Sequence, residues 1–440
     1  MRKYLLLVVL AMLALAGIAR AEPSPPPEFR SGYTLPSEQQ PLARALIWQY
    51  TDVAVLAAAL GVAWYLVHRR RSRVGVFLLT VFSIAYFGFY RQGCVCAIGS
   101  IQNVAAAAFN SSYSLPWTVA AFFGLPLIVA LFAGRVFCSG VCPLGAIQDV
   151  FLFRPIQVPS WVEASLGLFA HLYLGLAVVF AATGSDFVIC SYDPFVGFYR
   201  LSGSVGMLLT GGALLVLSMF VGRAYCRFIC PYSVLLRLVS PLAQWKVHVS
   251  PAECIDCRLC EKSCPFGALK RPVRQSVARD KARRRLAYAV LGALVLLVIL
   301  PVLGYASRPV LAKMDRTVQL AHRVFAEESG TVKGHTDDTT AWLKTGEPAP
   351  DLYRRAAAIE FRLGIGGIAL GIWMALAISG RGLRWITPGR GAIYDADDAG
   401  CVACARCFES CPIELQRRGI PLTLTLEGAP LPATPAEVTT

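Results

Sequence analysis

Residues 254–264 read C-I-D-C-R-L-C-E-K-S-C and residues 401–411 read C-V-A-C-A-R-C-F-E-S-C; a proline, Pro265 or Pro412, follows each. Both runs are C-x2-C-x2-C-x3-C. This is the spacing with which bacterial ferredoxins hold [4Fe–4S] clusters, the fourth cysteine of each run usually serving the other cluster. One copy alone would be compatible with zinc. Two identical copies point to iron–sulfur, with zinc or disulfides as the weaker alternatives. Cys254, Cys257, Cys260, Cys264, Cys401, Cys404, Cys407 and Cys411 are therefore the expected ligands of two [4Fe–4S] clusters.

The sequence around these runs is apolar. Of 440 residues, 56% are hydrophobic and 16% are charged, where a soluble chain carries about 25% charged residues. Mean hydropathy is +0.55. Apolar runs at 50–67, 74–90, 116–134, 161–183, 204–221, 286–303 and 357–379 approach the ~20 residues that cross a bilayer. The expected fold class is an α-helical polytopic membrane protein, with about seven transmembrane helices and a dicluster ferredoxin-like module. The net charge of +15 sits at the ends of apolar runs, as the positive-inside rule requires, and does not call for nucleic acid. Lys270–Arg285 is the extreme case and reads as a topology signal with anionic-lipid contact.

The layout follows from these runs. Residues 1–21 resemble a secretory signal peptide, with Arg2-Lys3, an apolar stretch Leu5 to Ile18 and Ala19-Arg20-Ala21. Residues 22–49 form a short periplasmic segment, and 50–240 a transmembrane core with cysteine pairs. Residues 241–285 carry the first 4Fe–4S motif and a basic cytoplasmic segment. A transmembrane hairpin follows at 286–380, with a polar periplasmic loop at 304–356; residues 381–440 hold the second motif and a tail. With a periplasmic start, seven crossings leave both ferredoxin motifs facing the cytoplasm of a bacterial inner membrane. The hairpin is then an insertion between the halves of one dicluster ferredoxin, in a compartment that keeps thiols reduced.

Seven cysteines lie outside the ferredoxin runs. Cys138-x3-Cys142-Pro143 and Cys226-x3-Cys230-Pro231 each place two thiols on one helix face, with proline stopping or kinking the helix behind them. Two such pairs facing each other supply four thiolates, a second redox or metal site; the alternative is that these are small buried packing residues. Cys94, Cys96 and Cys190 fall near the opposite membrane face, the first two in a stretch (91–114) expected to lie outside the bilayer and Cys190 after the run 161–183. A metal or redox site and a disulfide, Cys94–Cys190 or Cys96–Cys190, both stay open for them. Cys96-Ala-Ile-Gly-Ser-Ile-Gln-Asn-Val repeats Cys142-Pro-Leu-Gly-Ala-Ile-Gln-Asp-Val, and Cys190-Ser-Tyr-Asp-Pro-Phe is a looser echo of Cys230-Pro-Tyr-Ser. The repeat suggests an inverted arrangement, with thiols at both membrane surfaces.

Arg91-Gln-Gly-Cys-Val-Cys-Ala-Ile-Gly, Phe137-Cys-Ser-Gly-Val-Cys-Pro-Leu-Gly and Tyr225-Cys-Arg-Phe-Ile-Cys-Pro-Tyr, together with the ferredoxin runs, resemble the NosR/NirI family of membrane iron–sulfur proteins over roughly residues 45–415. NapH-type quinol dehydrogenases share only the C-x3-C-P pairs and the ferredoxin motifs. The resemblance implies a membrane core that carries electrons towards a periplasmic reductase, usually nitrous oxide reductase, and a link to denitrification. Typical members carry a large periplasmic domain with covalent FMN on a threonine. Only Glu22–Gln49 stands in that place here, so no FMN is expected on this chain and a separate periplasmic flavoprotein or reductase is the expected partner. The expected function is electron transfer between a cytoplasmic donor or quinol and that partner, with no catalytic residue of its own. A redox-sensing regulator or a maturation factor for a periplasmic metalloenzyme is the alternative.

Overall fold

The computed structural model describes residues 45–93, 96–111, 113–247, 254–255, 257–270, 279–386 and 395–419. The expected signal peptide, most of residues 22–49, Cys94 and much of the basic run 270–285 lie outside the described residues. Five helices are long and apolar enough to cross a membrane: Leu46–Arg69, Arg73–Tyr90, Ser160–Thr183, Arg283–Ala306 and Ala349–Leu383. They correspond to five of the seven expected spans. The other two positions hold shorter apolar helices, Trp117–Ala133 with 17 residues and Val205–Phe220 with 16. At 1.5 Å per residue these reach about 25 Å, less than the ~30 Å hydrocarbon core.

We number the helices that build the site in chain order: α1 (Leu46–Trp64), α2 (Arg73–Ser83), α3 (Ala97–Phe109), α4 (Trp117–Ala133), α5 (Pro143–Val150), α6 (Ser160–Thr183), α7 (Val188–Tyr192), α8 (Val205–Phe220), α9 (Ala224–Phe228) and α10 (Pro231–Val239). α1 and α2 continue as π-helical turns, Tyr65–Arg69 and Ile84–Tyr90. Helix α3 fills most of the stretch 91–114, to which the sequence reading assigned no helix. It packs against α4 and α6, and Ala97, Ile98, Ile101, Gln102, Ala105 and Ala106 are buried. Its face is built from small and β-branched residues, which lets three helices approach closely. At thirteen residues it is too short to stand out by hydropathy.

The inserted hairpin consists of α11 (Arg279–Ala306) and α12 (Ala349–Ile386). Gly304 lies against the Gly367 backbone, where any Cβ would collide, so the two arms cross at glycines. Helix α12 in turn grips α6: Arg381 donates to the Ala164 carbonyl at 2.6 Å and Trp373 Nε1 to the His171 carbonyl at 2.9 Å. The polar loop expected at 304–356 is instead largely helical. Arg316–Glu328 and Asp337–Thr345 form a small cap whose core is Ala321, Val324, Trp342 and Leu352. Its polar faces hid an amphipathic pattern.

The two ferredoxin runs meet, as the insertion reading requires. Leu269–Lys270 pairs antiparallel with Asp395–Ala396, in register Leu269 with Ala396 and Lys270 with Asp395. Short helix Leu259–Ser263 packs beside this ladder and against Arg406–Glu409.

Candidate iron–sulfur electron-transfer site

The thiols of the two runs are neighbours in a crossed pattern. Those that influence Cys260 are Cys257, Cys411 and Cys254. Those that influence Cys401 are Cys404 and Cys264, and Cys407 is surrounded by Cys404, Cys401 and Cys264 first. Three thiols of one run plus the fourth of the other is the arrangement that two [4Fe–4S] clusters need, so the residues present fit the groups. Burial pushes the Cys260 thiol up to about 11 and the Cys401 thiol up to about 12. Each is therefore protonated at neutral pH until metal displaces the proton. Among the described residues no three His, Cys, Asp or Glu side chains converge tightly enough for a single ion. A multi-iron cluster binds each thiolate through a different iron and spans a wider set.

The run Cys401–Cys411 faces the membrane core. Phe266, Ala268, Val402 and Cys404 form one apolar cluster, against which Cys264, Cys401 and Cys138 pack. Cys138 thus touches the ferredoxin module on one side and the membrane thiols on the other. Cys138, Cys142, Cys226 and Cys230 line one small pocket together with Ile98, Phe137, Gly145 and Tyr232. The structure brings the expected quartet together, though not by the expected helix faces. Phe137–Val141 is a π-helical turn, and Cys142 is the extended N-cap residue of α5 with Pro143 at its first position. Cys226 lies in α9, and Cys230 caps α10 ahead of Pro231. Proline here starts a helix instead of stopping one, since its missing N–H and fixed φ suit the first helical position. Cys142 and Cys230 each sit at a helix N-terminus.

Two side chains donate to these sulfurs. Gln148 Nε2 lies 3.4 Å from Cys226 Sγ, and Arg135 Nη2 lies 3.8 Å from Cys138 Sγ. Hydrogen bonds to sulfur set the potential of a thiolate-bound centre. Gln148 is itself held by Ser218 and by the Tyr225 N–H, which donate to Oε1 at 3.3 and 2.9 Å.

A buried ionic junction ties the module to the core. Asp149, fully buried, faces Arg73 at 2.5 Å, Arg223 at 3.4 Å and Arg406 at 3.4 Å. Burial disfavours its charge, but Arg223, Arg73 and Arg406 overcome that and hold the carboxyl at about 2. Arg223, 1% exposed, also donates to the Cys138 carbonyl and, at 2.6 Å, to the Ser139 carbonyl. Arg73 and Arg135 reach the second ferredoxin run, at the carbonyls of Cys404 (3.4 Å) and Ala399 (3.0 Å). None of these charged residues emerges from motif reading. The repeated Gln-Asx after each cysteine, Gln102-Asn103 and Gln148-Asp149, was the available signal.

Of the remaining thiols, Cys96 caps α3, accepting the Gly99 N–H at 3.5 Å, and Cys190 lies in α7. Cys94 lies outside the described residues.

A profile described as a 4Fe-4S binding domain matches residues 115–157 and 204–250, and a second 4Fe-4S binding domain profile matches residues 246–269. The first therefore covers both C-x3-C-P pairs, and the second covers the first ferredoxin run. An uncharacterized protein of Methanocaldococcus jannaschii is 30% identical over 198 residues, 42% of this chain and 79% of that protein. The protein NirI of Paracoccus denitrificans is 27% identical over 214 residues, 46% of this chain and 31% of NirI. The regulatory protein NosR of Pseudomonas aeruginosa is 28% identical over 248 residues, 50% of this chain and 33% of NosR. Apart from the archaeal protein, the chain spans about half or less of the length of the curated relatives it matches. No solved structure matches.

Proposed function

The chain belongs to the NosR/NirI family of membrane iron–sulfur proteins, and we propose that it carries electrons between a cytoplasmic donor or quinol and a periplasmic acceptor. The acceptor is a flavoprotein or a reductase such as a nitrous oxide reductase system. In this reading Cys254, Cys257, Cys260 and Cys411 hold one [4Fe–4S] cluster, and Cys401, Cys404, Cys407 and Cys264 hold the other. When bound, such clusters supply one-electron carriers. The chain's own residues do the rest. The apolar cluster around Phe266 and Val402 excludes water between module and core. Arg135 and Gln148 donate to sulfur, and Asp149 with its arginines locks the module in place.

One observation carries this reading. Cys138 packs at once against the ferredoxin core and in the pocket of the membrane quartet, so the two thiol sets are contiguous. The cytoplasmic placement of the module is supported by the basic turn Arg69-Arg70-Arg71, which lies on its side and reaches it: Arg71 pairs with Glu414 at 2.7 Å. In proteoliposomes, Cys142→Ser should abolish reduction of an acceptor on the far side, with the EPR signals of the dicluster module intact. Unimpaired transfer in that variant refutes the relay.

Two relatives are regulatory proteins, NosR of Pseudomonas aeruginosa and of Stutzerimonas stutzeri, which favours a second reading as a redox-sensing regulator or maturation factor. It predicts no steady turnover in liposomes. Deletion of the gene would instead lower the expression or metal content of a periplasmic metalloenzyme.

A further inference from the structure

The repeated peptides share contacts as well as letters. Gly99 follows Cys96 as Gly145 follows Cys142, and Gln102 follows Cys96 as Gln148 follows Cys142. A Cβ on Gly99 would meet Cys190 Sγ at 3.5 Å, and one on Gly145 would meet Cys226 Sγ at 3.6 Å. Gln148 Oε1 accepts the N–H of Tyr225, the residue before Cys226, at 2.9 Å. Gln102 Oε1 accepts the N–H of Ile189, the residue before Cys190, at 3.0 Å. Cys96 therefore corresponds to Cys142 and Cys190 to Cys226. This revises the looser sequence echo, which aligned Cys190 with Cys230.

The correspondence extends to a third ligand position. Cys230 precedes Pro231 at the end of the second inner pair; Asp193 precedes Pro194 after Cys190. Asp193 is 1% exposed and is among the charges that act on Cys96. Its Oδ1 accepts the Phe195 N–H at 2.9 Å. Its Oδ2 lies buried beside the Tyr225 hydroxyl. The orphan here is Gln102, 0% exposed, whose Nε2 donates to nothing among the described residues. The same atom of Gln148 donates to the Cys226 sulfur. A buried amide N–H without a partner, beside two thiols and a buried carboxylate, is costly unless a ligand satisfies it.

We propose that Cys96, Cys190 and Asp193 hold an iron–sulfur centre, the counterpart of the inner quartet, with the Gln102 amide as its hydrogen-bond donor. Thiolates select iron–sulfur and other soft metals. Ile98, two residues from Cys96, lines the inner pocket, so α3 carries a residue of each thiol site. The proposal builds on the electron-transfer reading by naming the far end of the relay, while the site itself stands on geometry.

The test uses the full chain, purified without oxygen in detergent, with iron, labile sulfide and zinc measured per chain beside EPR spectra. Cys190→Ser and Asp193→Ala should each lower iron and sulfide together and remove one spectral component, with the dicluster signals at full intensity as the control for folding. Asp193→Cys, which restores the all-thiolate set of the inner site, should keep the iron and alter that component. Unchanged iron and sulfide in Cys190→Ser overturns the proposal. So does a Cys96–Cys190 disulfide in the unreduced wild-type chain, or a loss confined to zinc. Should Cys190→Ser fail to accumulate, an unchanged spectrum in Asp193→Cys overturns it instead. Iron loss as expected with undiminished transfer in Cys142→Ser would leave this site standing and remove the relay.

Discussion

Arg223 and Arg135 act on Cys226, whereas a carboxylate, Asp193, acts on Cys96. The two thiol sites share a backbone device: a cysteine caps a helix, a glycine presses on a second sulfur, and a glutamine holds the strand of chain before that sulfur. They differ in what surrounds it. The inner site is wedged against the ferredoxin module by a buried ionic junction; among the described residues the other has no such junction, and Cys190 is exposed. A repeated scaffold can thus carry opposite electrostatics. Cations beside sulfur stabilise an added electron and raise a centre's potential, and an anion lowers it. The comparison teaches that potential is set by the neighbours of the thiols, while the repeat only positions them.

The harshest way to break the comparison is at Asp149. Asp149→Leu leaves Arg223 and Arg73 buried without a counter-charge, and loss of one partner of such a pair costs about 3–5 kcal/mol. Thermal unfolding in detergent should fall accordingly, with the module loosened from the core. The pH dependence has a definite sign. The folded carboxyl is held at about 2, below the ~3.9 of a free aspartate. Its contribution is therefore complete above about pH 4 and is lost only as pH falls from there towards 2. Docking should be flat between pH 5 and 8, as read by accessibility of Cys401 to thiol reagents.

Next in size is the glutamine pair. Gln148→Leu strands the Tyr225 N–H and removes the donor to Cys226, and Gln102→Leu strands the Ile189 N–H. Each should cost about 1–3 kcal/mol, measurable by denaturant unfolding. Each should also shift the midpoint potential of its own centre alone in a redox titration. A shift common to both centres would mean that the two sites are not independent copies.

Arg135→Gln tests the electrostatic contrast directly. It removes the cation 3.8 Å from Cys138 Sγ and should lower the midpoint potential of the inner centre with little change at the other. The smallest effect belongs to the rim of the junction. Lys246–Asp398, at 2.6 Å and partly exposed, should contribute no more than about 1 kcal/mol, and Lys246→Ala should show less effect still at high salt.

Much of this molecule is legible in its letters. The ferredoxin spacing predicted the meeting of two distant runs, because in a dicluster ferredoxin each run lends its fourth cysteine to the other's cluster. Long apolar runs announced the membrane helices because the bilayer requires length and apolarity together. The C-x3-C-P pairs were recognised as a unit, but the helix-face argument for them was wrong: proline at the first position of a new helix reorients the chain between the two cysteines. Helix α3 escaped because thirteen residues of mostly small side chains resemble a loop until neighbours pack on them.

The sequence by itself determined the chemistry available: fifteen cysteines, their spacings, and enough apolar length to place them at a membrane. Spacing and composition are local properties, and local rules read them. Only the tertiary structure decided which charges answer one another. Asp149 meets Arg73, Arg223 and Arg406 from segments 76, 74 and 257 residues away, and the unpartnered amide of Gln102 becomes visible only once burial is known. Burial and long-range pairing depend on the packing of the whole chain, and no window of sequence contains them.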